Sequence, residues 1–443
     1  MPRRDSAGLH RFDYLVHPAA PAAKLRGWQV VPPGLEAALN PATLVHADAP
    51  VTVEREPNDT AAQAHPLTLP AVVCGRFDRP GDADWYRIEL KAGETIQVDL
   101  LGERLDRPGD PFVFITDDKG NERAQLDDHG ITFNALALYN RDPNGTFTAP
   151  AAGTYRLLVQ ERYRQGGPRH GYVLRLRAAE PDFYPVVFHE TNPDPTCPVV
   201  RQGGSAHLEV CLNRRSFSGP VVVEAKGLPA GVTCPPIHVS PQTDTAVLVF
   251  SAAVDAREWA GPIRVMATGT AGERTLVREA CAVQRRWAIA NINTSRLCRE
   301  VCLAVRPGAA YQLRLPETAT VSAGGSVPVI ATVRRHGDFK GKVQLTGLGL
   351  PPGFSLPTTD VPEGKDTATV TLMVANNVPP GRYSVTLRGD GQVPFSKDAK
   401  ATSRPNVRVA DPSTPLVLTV QPAAKKAAAR AANRAGGVAQ GPS

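Results

Sequence analysis

The chain has 443 residues, which is enough for about three domains with sizeable hydrophobic cores. Proline (42) and glycine (38) are frequent and aromatic residues make up only 6%, a composition typical of many short strands joined by tight turns. The formal net charge is +7, but basic residues are scattered among acidic ones, which argues against nucleic-acid binding. The sequence lacks a run of 18 apolar residues, so it predicts no transmembrane helix.

The first 52 residues are interpreted as the remnant of an upstream β domain followed by a linker. The run W-Q-V-V-P-P-G-L-E-A-A-L-N-P-A-T-L (28–44) is typical of the closing strands of an incomplete sandwich, and the linker follows at His46–Thr52. The start, Met-Pro-Arg-Arg, leads into polar sequence without the apolar segment of a signal peptide. We therefore expect the native product to begin upstream of Met1 as part of a longer, exported protein.

The run E-R-E-P-N-D (54–59) concentrates oxygen-bearing side chains. In an extended backbone, side chains alternate faces, so Glu54, Glu56 and Asn58 project to one side at intervals of about 6.5–7 Å. Pro57 stiffens the segment and holds Glu56 extended, and Asp59 adds an oxygen from the turn that follows. Carboxylate and amide oxygens are ligands that calcium prefers.

A second acidic run, G-D-A-D-W-Y (81–86), repeats the same-side spacing with Asp82 and Asp84. Either run alone is explained by a polar turn beside a strand. The two together favour a metal site when the resemblance described below is taken into account. Tyr86, Ile88 and Leu90 then alternate with polar residues, as expected for a half-buried strand.

Further motifs follow in a fixed order as far as Ala178. They are E-R-E-P-N-D-T-A (54–61), G-R-F (75–77), D-A-D-W-Y-R-I-E-L-K-A-G-E (82–94), D-D-K-G-N (117–121), A-A-G-T-Y-R-L-L-V (151–159) and G-Y-V-L-R-L (171–176). This series resembles the bacterial pre-peptidase C-terminal (PPC) domain, a jelly-roll-like β-sandwich appended to many secreted peptidases and cell-surface proteins.

The resemblance implies a calcium site. In calcium-binding members, typified by the collagen-binding domains of secreted collagenases, the acidic entry segment and the later aspartate turn bind the ion together. By position, the ligands here are Glu54, Glu56, Asn58, Asp59, Asp82 and Asp84. The turn is one residue shorter between its aspartates than in those proteins, and Trp85 stands where a tyrosine is usual. A two-ion site could therefore be reduced to one ion or lost, and without a cation the repelling carboxylates should hold the entry segment loosely.

Beyond Pro181 the chain repeats itself with a period near 122 residues. G-L-P-A-G (227–231) recurs as G-L-P-P-G (349–353), and D-T-A-V (244–247) recurs as D-T-A-T (366–369). Repeats of this length are tandem domains. The Leu-Pro-x-Gly turn is typical of bacterial immunoglobulin-like domains, and its glycine should take a positive φ.

We predict an all-β fold of tandem β-sandwiches with a disordered tail. The predicted segments are the upstream remnant and linker (1–52), the PPC-like sandwich (53–180), a first immunoglobulin-like sandwich (181–284) that opens on a proline-rich linker (181–198), a connector (285–310), a second immunoglobulin-like sandwich (311–421) and a basic, alanine-rich tail (422–443).

The seven cysteines form no C-x-x-C pair, so zinc-knuckle and thioredoxin-like motifs are not indicated. Cys197 and Cys234 each precede a proline and could approach across one end of a sandwich. His129 in D-D-H-G (127–130) is explained by a surface turn. Trp85 and Trp259 are candidate exposed aromatics for a sugar or peptide surface.

The sequence contains no H-E-x-x-H, G-x-S-x-G or glycine-rich phosphate loop, so it does not predict an enzyme. Two readings stay open. One is a calcium-stabilised spacer, adhesion or ligand-binding array of the cell surface or secretome, acting as a monomer on an extracellular polymer, polysaccharide or protein. The other is the accessory region of a secreted peptidase whose catalytic domain lies outside this chain.

Overall fold

The computed structural model describes residues 3–4, 10–11, 28–30, 42–45, 47, 49–133, 136–188, 197–289, 292–298, 300–398 and 402–423. Within these ranges the regular structure is β-strand, with two 3₁₀ turns, Ala61–Gln63 and Glu103–Leu105, and no α-helix. The all-β fold class is therefore confirmed. Among the residues described, we find no helix with the length and apolar character needed to cross a membrane.

The strands are numbered in chain order. Up to residue 178 they are β1 (Arg3–Arg4), β2 (His10–Arg11), β3 (Trp28–Val30), β4 (Ala42–Leu44), β5 (Val51–Val53), β6 (His65–Pro66), β7 (Ala71–Arg76), β8 (Ala83–Leu90), β9 (Thr95–Leu101), β10 (Pro111–Thr116), β11 (Glu122–Leu126), β12 (His129–Phe133), β13 (Leu136–Asn140), β14 (Asn144–Thr148), β15 (Gly153–Glu161) and β16 (Gly171–Ala178).

The next strands are β17 (Asp182–Phe188), β18 (Val199–Arg201), β19 (Ser205–Arg215), β20 (Val221–Lys226), β21 (Val232–Thr233), β22 (Ile237–Val239), β23 (Thr245–Ala252), β24 (Trp259–Ala271), β25 (Arg274–Glu279), β26 (Cys281–Ile289) and β27 (Ile292–Leu297). The last are β28 (Val301–Arg306), β29 (Tyr311–Arg314), β30 (Thr318–Ser322), β31 (Ser326–Arg335), β32 (Val343–Leu348), β33 (Phe354–Ser355), β34 (Thr359–Val361), β35 (Thr367–Val374), β36 (Gly381–Pro394), β37 (Asn406–Pro412) and β38 (Leu416–Gln421).

The chain divides into two compact units. The first comprises Met1–Val199, Leu208–Pro229 and Glu258–Ala304, and the second comprises Val200–His207, Ala230–Arg257 and Val305–Ser443. The domain boundaries predicted from the sequence stay predictions, and the tail beyond residue 423 lies outside the described residues.

The first unit contains a sandwich of two five-stranded sheets, with strand orders β11-β10-β15-β8-β6 and β14-β9-β16-β7-β5. Alternate residues of β8 and β15 face inward, as their period-2 pattern predicts. Tyr86, Ile88 and Leu90 of β8 are buried against the inward residues of the facing sheet, such as Ile96 and Leu174. The strands predicted from alternation are therefore present, and pairing of this sandwich starts at Val51, opposite Val72.

The first unit also contains β17, where the sequence predicts a proline-rich linker (181–198). The linker prediction is wrong for residues 182–188: all seven are buried, and they pair antiparallel with β19 from Asp182–Arg215 to Phe188–Glu209. A strand covered on both faces shows no alternation, so its only sequence signal is a short apolar run interrupted by Pro185. Residues 189–196 are not among those described.

The second unit ends in a sandwich whose sheets have the orders β29-β31-β35-β33 and β30-β38-β36-β32-β34. Val329, Ala331 and Val333 of β31 point into its core, as predicted from their spacing. The Leu-Pro-x-Gly turns adopt the predicted conformation, with φ of 80° at Gly231 and 82° at Gly353. The carbonyl groups of these two glycines accept from Ala253 and Ala375, each at 2.8 Å, so the two turns are hydrogen-bonded alike.

Two smaller expectations are corrected. Trp85 and Trp259 are half-buried instead of fully exposed, and each lies within a strand, β8 or β24. Cys197 and Cys234 are thiols and not a disulfide in the structure. Sequence position does not fix the Cα separation of about 4.4–6.8 Å that a disulfide requires.

Candidate metal centre

The candidate site lies at one end of the first sandwich, where its two sheets meet. Glu54 follows β5 in one sheet, and its backbone N–H extends the pairing with β7 by donating to the Cys74 carbonyl at 3.0 Å. Asp84 is the second residue of β8 in the other sheet, and its alternation with Tyr86 places it on the inward face. The site therefore joins two sheets that share no backbone hydrogen bonds with each other.

Three of the six predicted ligands converge. One carboxylate oxygen from each of Glu54, Glu56 and Asp84 lies within 4.8 Å of one from each of the others. Calcium bonds oxygen at 2.3–2.6 Å, so ligand oxygens on opposite sides of the ion are about 4.6–5.2 Å apart. The three oxygens thus have the separation that a shared calcium requires. Asp84 is fully buried and Glu56 is exposed, so the group runs from the core to the surface.

Two tyrosine hydroxyls lie beneath these carboxylates. Tyr172 donates to Asp84 Oδ2 at 2.7 Å and lies 3.1 Å from Glu54 Oε2, and the Tyr86 hydroxyl also lies 3.1 Å from that oxygen. The two hydroxyls are 2.7 Å apart. The other Glu54 oxygen accepts the Arg76 backbone N–H at 3.0 Å. Neutral donors thus fix the positions of Glu54 and Asp84 without cancelling their charge.

Gly75 in β7 makes room for this arrangement. A Cβ at this position would overlap the Tyr172 ring and Glu54 Oε2, so a larger residue would push both side chains out of place. Gly75, Tyr86 and Tyr172 belong to sequence motifs or to an alternating strand pattern, neither of which predicts a role in the site. Their signal is weak because each is explained equally well by strand packing.

The carboxylates of the site are crowded in the absence of a cation. Burial, together with the neighbouring Glu54 carboxylate, raises the pKa of Asp84 to about 9. Burial also raises the pKa of Glu54, and it raises that of Glu56, with a further contribution from the Asp82 carboxylate. Without a cation, at least one of these groups is therefore favoured in its protonated form at neutral pH.

The other three predicted ligands occupy different positions. Asn58 is buried, and its side-chain amide lies 3.2 Å from both Glu56 oxygens when its nitrogen donates to them. A half-turn of the amide would present its oxygen at the same place. Asp82 is buried beside the group, close enough to raise the pKa of Glu56. Asp59 bonds Arg79 Nη2 at 2.6 Å, and its carboxylate also contributes to the raised pKa of Glu56.

A buried oxygen of Asp82 supports a cation at this end of the sandwich. Its Oδ2 accepts the Asp78 backbone N–H, whereas its Oδ1 accepts no hydrogen bond and has only the Arg79 guanidinium at 3.9 Å. An orphaned carboxylate oxygen in the interior is costly. Together with the all-oxygen donor set, it fits a hard cation such as calcium. An ion bound by Glu54, Glu56 and Asp84 would tie the entry segment 54–59 to β8.

Comparison with known proteins matches the sandwich that carries this site. Residues 82–161 match the family model of the bacterial pre-peptidase C-terminal domain. A protein of Deinococcus radiodurans described as a probable subtilase-type serine protease is 34% identical over 112 residues, which are 24% of this chain and 14% of that protein. The chain thus spans about one seventh of the length of that relative.

Two solved structures align with parts of the chain at low similarity. A protein from Eubacterium rectale described as secreted aligns with 11% identity over 47% of this chain and 71% of its own, with a TM-score of 0.19. The β-glucuronidase of Bifidobacterium dentium, complexed with coumarin-3-O-glucuronide, aligns with 10% identity over 45% of this chain and 39% of its own, with a TM-score of 0.25. Scores this low carry no functional argument.

Proposed function

We propose that the chain is a non-catalytic accessory region of an exported protein, and that calcium stabilises its first sandwich. The observation that carries the proposal is the convergence of Glu54, Glu56 and Asp84 within 4.8 Å at the junction of the two sheets. This junction adjoins and overlaps the segment that matches the family model. Calcium is abundant outside cells, where modules with dissociation constants of about 10⁻⁴–10⁻³ M are occupied.

The accessory role is favoured by the similarity to the Deinococcus protein, whose description is that of a subtilase-type serine protease. In this reading the sandwich accompanies a peptidase domain that the present chain does not supply. A second candidate function is a spacer, adhesion or ligand-binding array acting on an extracellular polymer, polysaccharide or protein. It is favoured by the further sandwich of the second unit, because successive sandwiches extend a chain.

Terbium luminescence tests the metal site in the full chain. Terbium is a hard cation that substitutes for calcium, and the Tyr86 and Tyr172 hydroxyls contact the Glu54 and Asp84 carboxylates, so an ion bound there should be sensitised by excitation of these rings. We expect emission that calcium suppresses and that Glu56→Ala greatly reduces. Glu122→Ala, which removes an exposed carboxylate of β11, is the matched control and should leave the signal intact. Equal emission from wild type and Glu56→Ala would contradict the site.

The accessory role is tested by labelling the purified full chain with a fluorophosphonate, which reacts with activated serine nucleophiles. We expect no labelling and no hydrolysis of casein, with or without calcium. Covalent labelling would contradict the proposal. The reading frame that precedes Met1 separates the two functions, because an in-frame peptidase domain selects the first and additional sandwiches select the second.

A further inference from the structure

A second group of carboxylates lies at the same end of the β11-β10-β15-β8-β6 sheet as Asp84. Asp110 directly precedes β10, and Asp127 and Asp128 directly follow β11. These two strands run antiparallel with Val113 opposite Leu126, so the residue before one strand comes close to the residues after the other. One carboxylate oxygen from each aspartate lies within 4.8 Å of one from each of the others, the same separation as in the first group.

Two oxygens of this group are buried without a partner. Asp110 is only 6% exposed, and its Oδ1 is buried and accepts no hydrogen bond from the residues that the structure describes. Asp127 Oδ1 is likewise buried and accepts none. The adjacent Glu161 does not share this feature, because its two oxygens accept the backbone N–H groups of Asp110 and Gln165. Two orphaned carboxylate oxygens in one cluster indicate that a cation completes it.

Arg162 contacts two members of the cluster. Arg162 follows β15, and its backbone N–H donates to the Asp110 carbonyl at 2.8 Å. Its guanidinium bonds Asp127 Oδ2, and its Nε lies 3.9 Å from Asp110 Oδ2. The guanidinium therefore contacts the Oδ2 atoms of these two aspartates and leaves both Oδ1 atoms unpaired. Three carboxylates and the Arg162 guanidinium leave two negative charges. Arg141 and Glu161 also act on Asp110, and their opposite charges leave this sum unchanged, so one divalent cation would balance it.

We propose that Asp110, Asp127 and Asp128 form a second divalent-cation site, for which calcium is the chemical match. All donors are carboxylate oxygens, which suit hard cations and not zinc or copper. A bound ion would fasten the β11–β12 turn to the start of β10. The site is independent of the first group, since the two share no residue. In the sheet order, β8 and β10 are separated by β15, and Asp110 lies three residues before Val113, the residue level with Asp84. The two groups are therefore about 10 Å apart across the sheet and about 10 Å along the strands, or roughly 14 Å in all.

Equilibrium dialysis of the full chain against radioactive calcium counts the ions. We expect Glu56→Ala, which removes a ligand of the first group, to retain one bound calcium, and Glu56→Ala combined with Asp128→Asn to retain none. Asp128 is exposed, so the substitution should not disturb folding. Asp118→Asn, an equal loss of charge in the exposed turn after β10, is the matched control and should not reduce binding further. Equal calcium binding by Glu56→Ala and the double variant would overturn the proposal.

Arg162→Gln gives a test that does not depend on losing a ligand. In the Glu56→Ala background, removing the guanidinium should strengthen calcium binding by at least about fivefold, because a positive charge beside the ion is lost. A cluster that is only held together by Arg162 would instead be destabilised and gain no affinity. An unchanged or weaker calcium affinity would overturn the proposal. Failure of the first site can be distinguished from failure of the second. If the first site does not bind calcium, wild type and Glu56→Ala each bind one ion, and Asp128→Asn removes that ion.

Discussion

Replacing Asp84 by asparagine should stabilise the calcium-free protein at neutral pH. Burial and the Glu54 carboxylate raise the pKa of Asp84 from 3.8 to about 9, so folding without calcium at pH 7 requires this group to take up a proton. The unfolded pKa lies roughly three pH units below pH 7, and each unit lowers the free energy of unfolding by about 1.4 kcal/mol. The total loss of stability is therefore about 4 kcal/mol. Asparagine is neutral, and its oxygen can still accept from Tyr172. Asp84→Asn should therefore recover up to about 4 kcal/mol.

The pH dependence gives the sign of this effect. A carboxyl whose pKa is raised in the folded state makes its full contribution to the free energy of unfolding below its unfolded pKa of 3.8. This contribution is lost as the pH rises toward about 9. The gain from Asp84→Asn should therefore be near zero at pH 4 and largest at pH 7 and above. Urea unfolding of the full chain in a calcium chelator, at several pH values, measures this difference.

Calcium should reverse the order of stability. The wild-type carboxylate gains a divalent partner, whereas asparagine offers a weaker ligand, so saturating calcium should stabilise the wild type more than Asp84→Asn. Asp84→Asn that is less stable than the wild type at pH 7 without calcium would refute the reasoning. A gain of the same size at pH 4 and pH 7 would also refute it, because the effect would then not arise from ionisation.

Three further outcomes are expected in the full chain. Glu56→Ala should remove the calcium response of the first site while leaving the calcium-free thermal midpoint nearly unchanged, because the relief of carboxylate repulsion offsets the loss of the hydrogen bonds from Asn58. A large calcium-free loss in calorimetry would contradict this. Gly75→Ala should destabilise the first sandwich by about 1–3 kcal/mol in urea unfolding and weaken terbium emission, because the methyl group of the alanine displaces Tyr172. Unchanged emission would count against a role of the Tyr172 hydroxyl in the site. Asp142→Ala should lower the free energy of unfolding by about 3–5 kcal/mol, because buried Arg104 loses one carboxylate partner and three backbone N–H groups lose their acceptor. A decrease below about 1 kcal/mol would show that the network is dispensable.

The strands of the first sandwich could be predicted because each is half-buried. Tyr86, Ile88 and Leu90 in β8 alternate with solvent-facing residues, so the pattern of one segment alone identifies its inward face. The strand β17 could not be predicted in this way, because residues such as Phe183 and Val187 are covered on both sides by parts of the chain distant in sequence. Alternation is informative only where one face meets water.

The candidate site was predictable only in part, because a sequence pattern reveals only local geometry. Glu54 and Glu56 are neighbours in sequence, so their proximity follows from local geometry. Their contact with Asp84 depends on how two sheets stack, and only the resemblance to a family suggested it. Tyr172 lies 118 residues from Glu54 and contributes through one hydroxyl, which no local pattern reveals.

Long-range register explains the remaining differences. Asp59 is part of the acidic run but pairs with Arg79, which lies 20 residues further along the chain. Asp127 and Asp128 were interpreted as part of a surface turn. They meet Asp110 only through the pairing of β10 with β11, which the sequence does not specify.

The measurement that tests the calcium site most directly is the thermal midpoint of the full chain with and without millimolar calcium, compared between wild type and Glu56→Ala by scanning calorimetry. A ligand at a hundred times its dissociation constant stabilises the folded state by about 2.7 kcal/mol, which corresponds to a rise of several degrees. We predict that the transition of the first sandwich rises more in the wild type than in Glu56→Ala, and that magnesium, which requires a tighter octahedral site, does less. An equal rise in both proteins, or none in either, would contradict a calcium ion held by Glu54, Glu56 and Asp84.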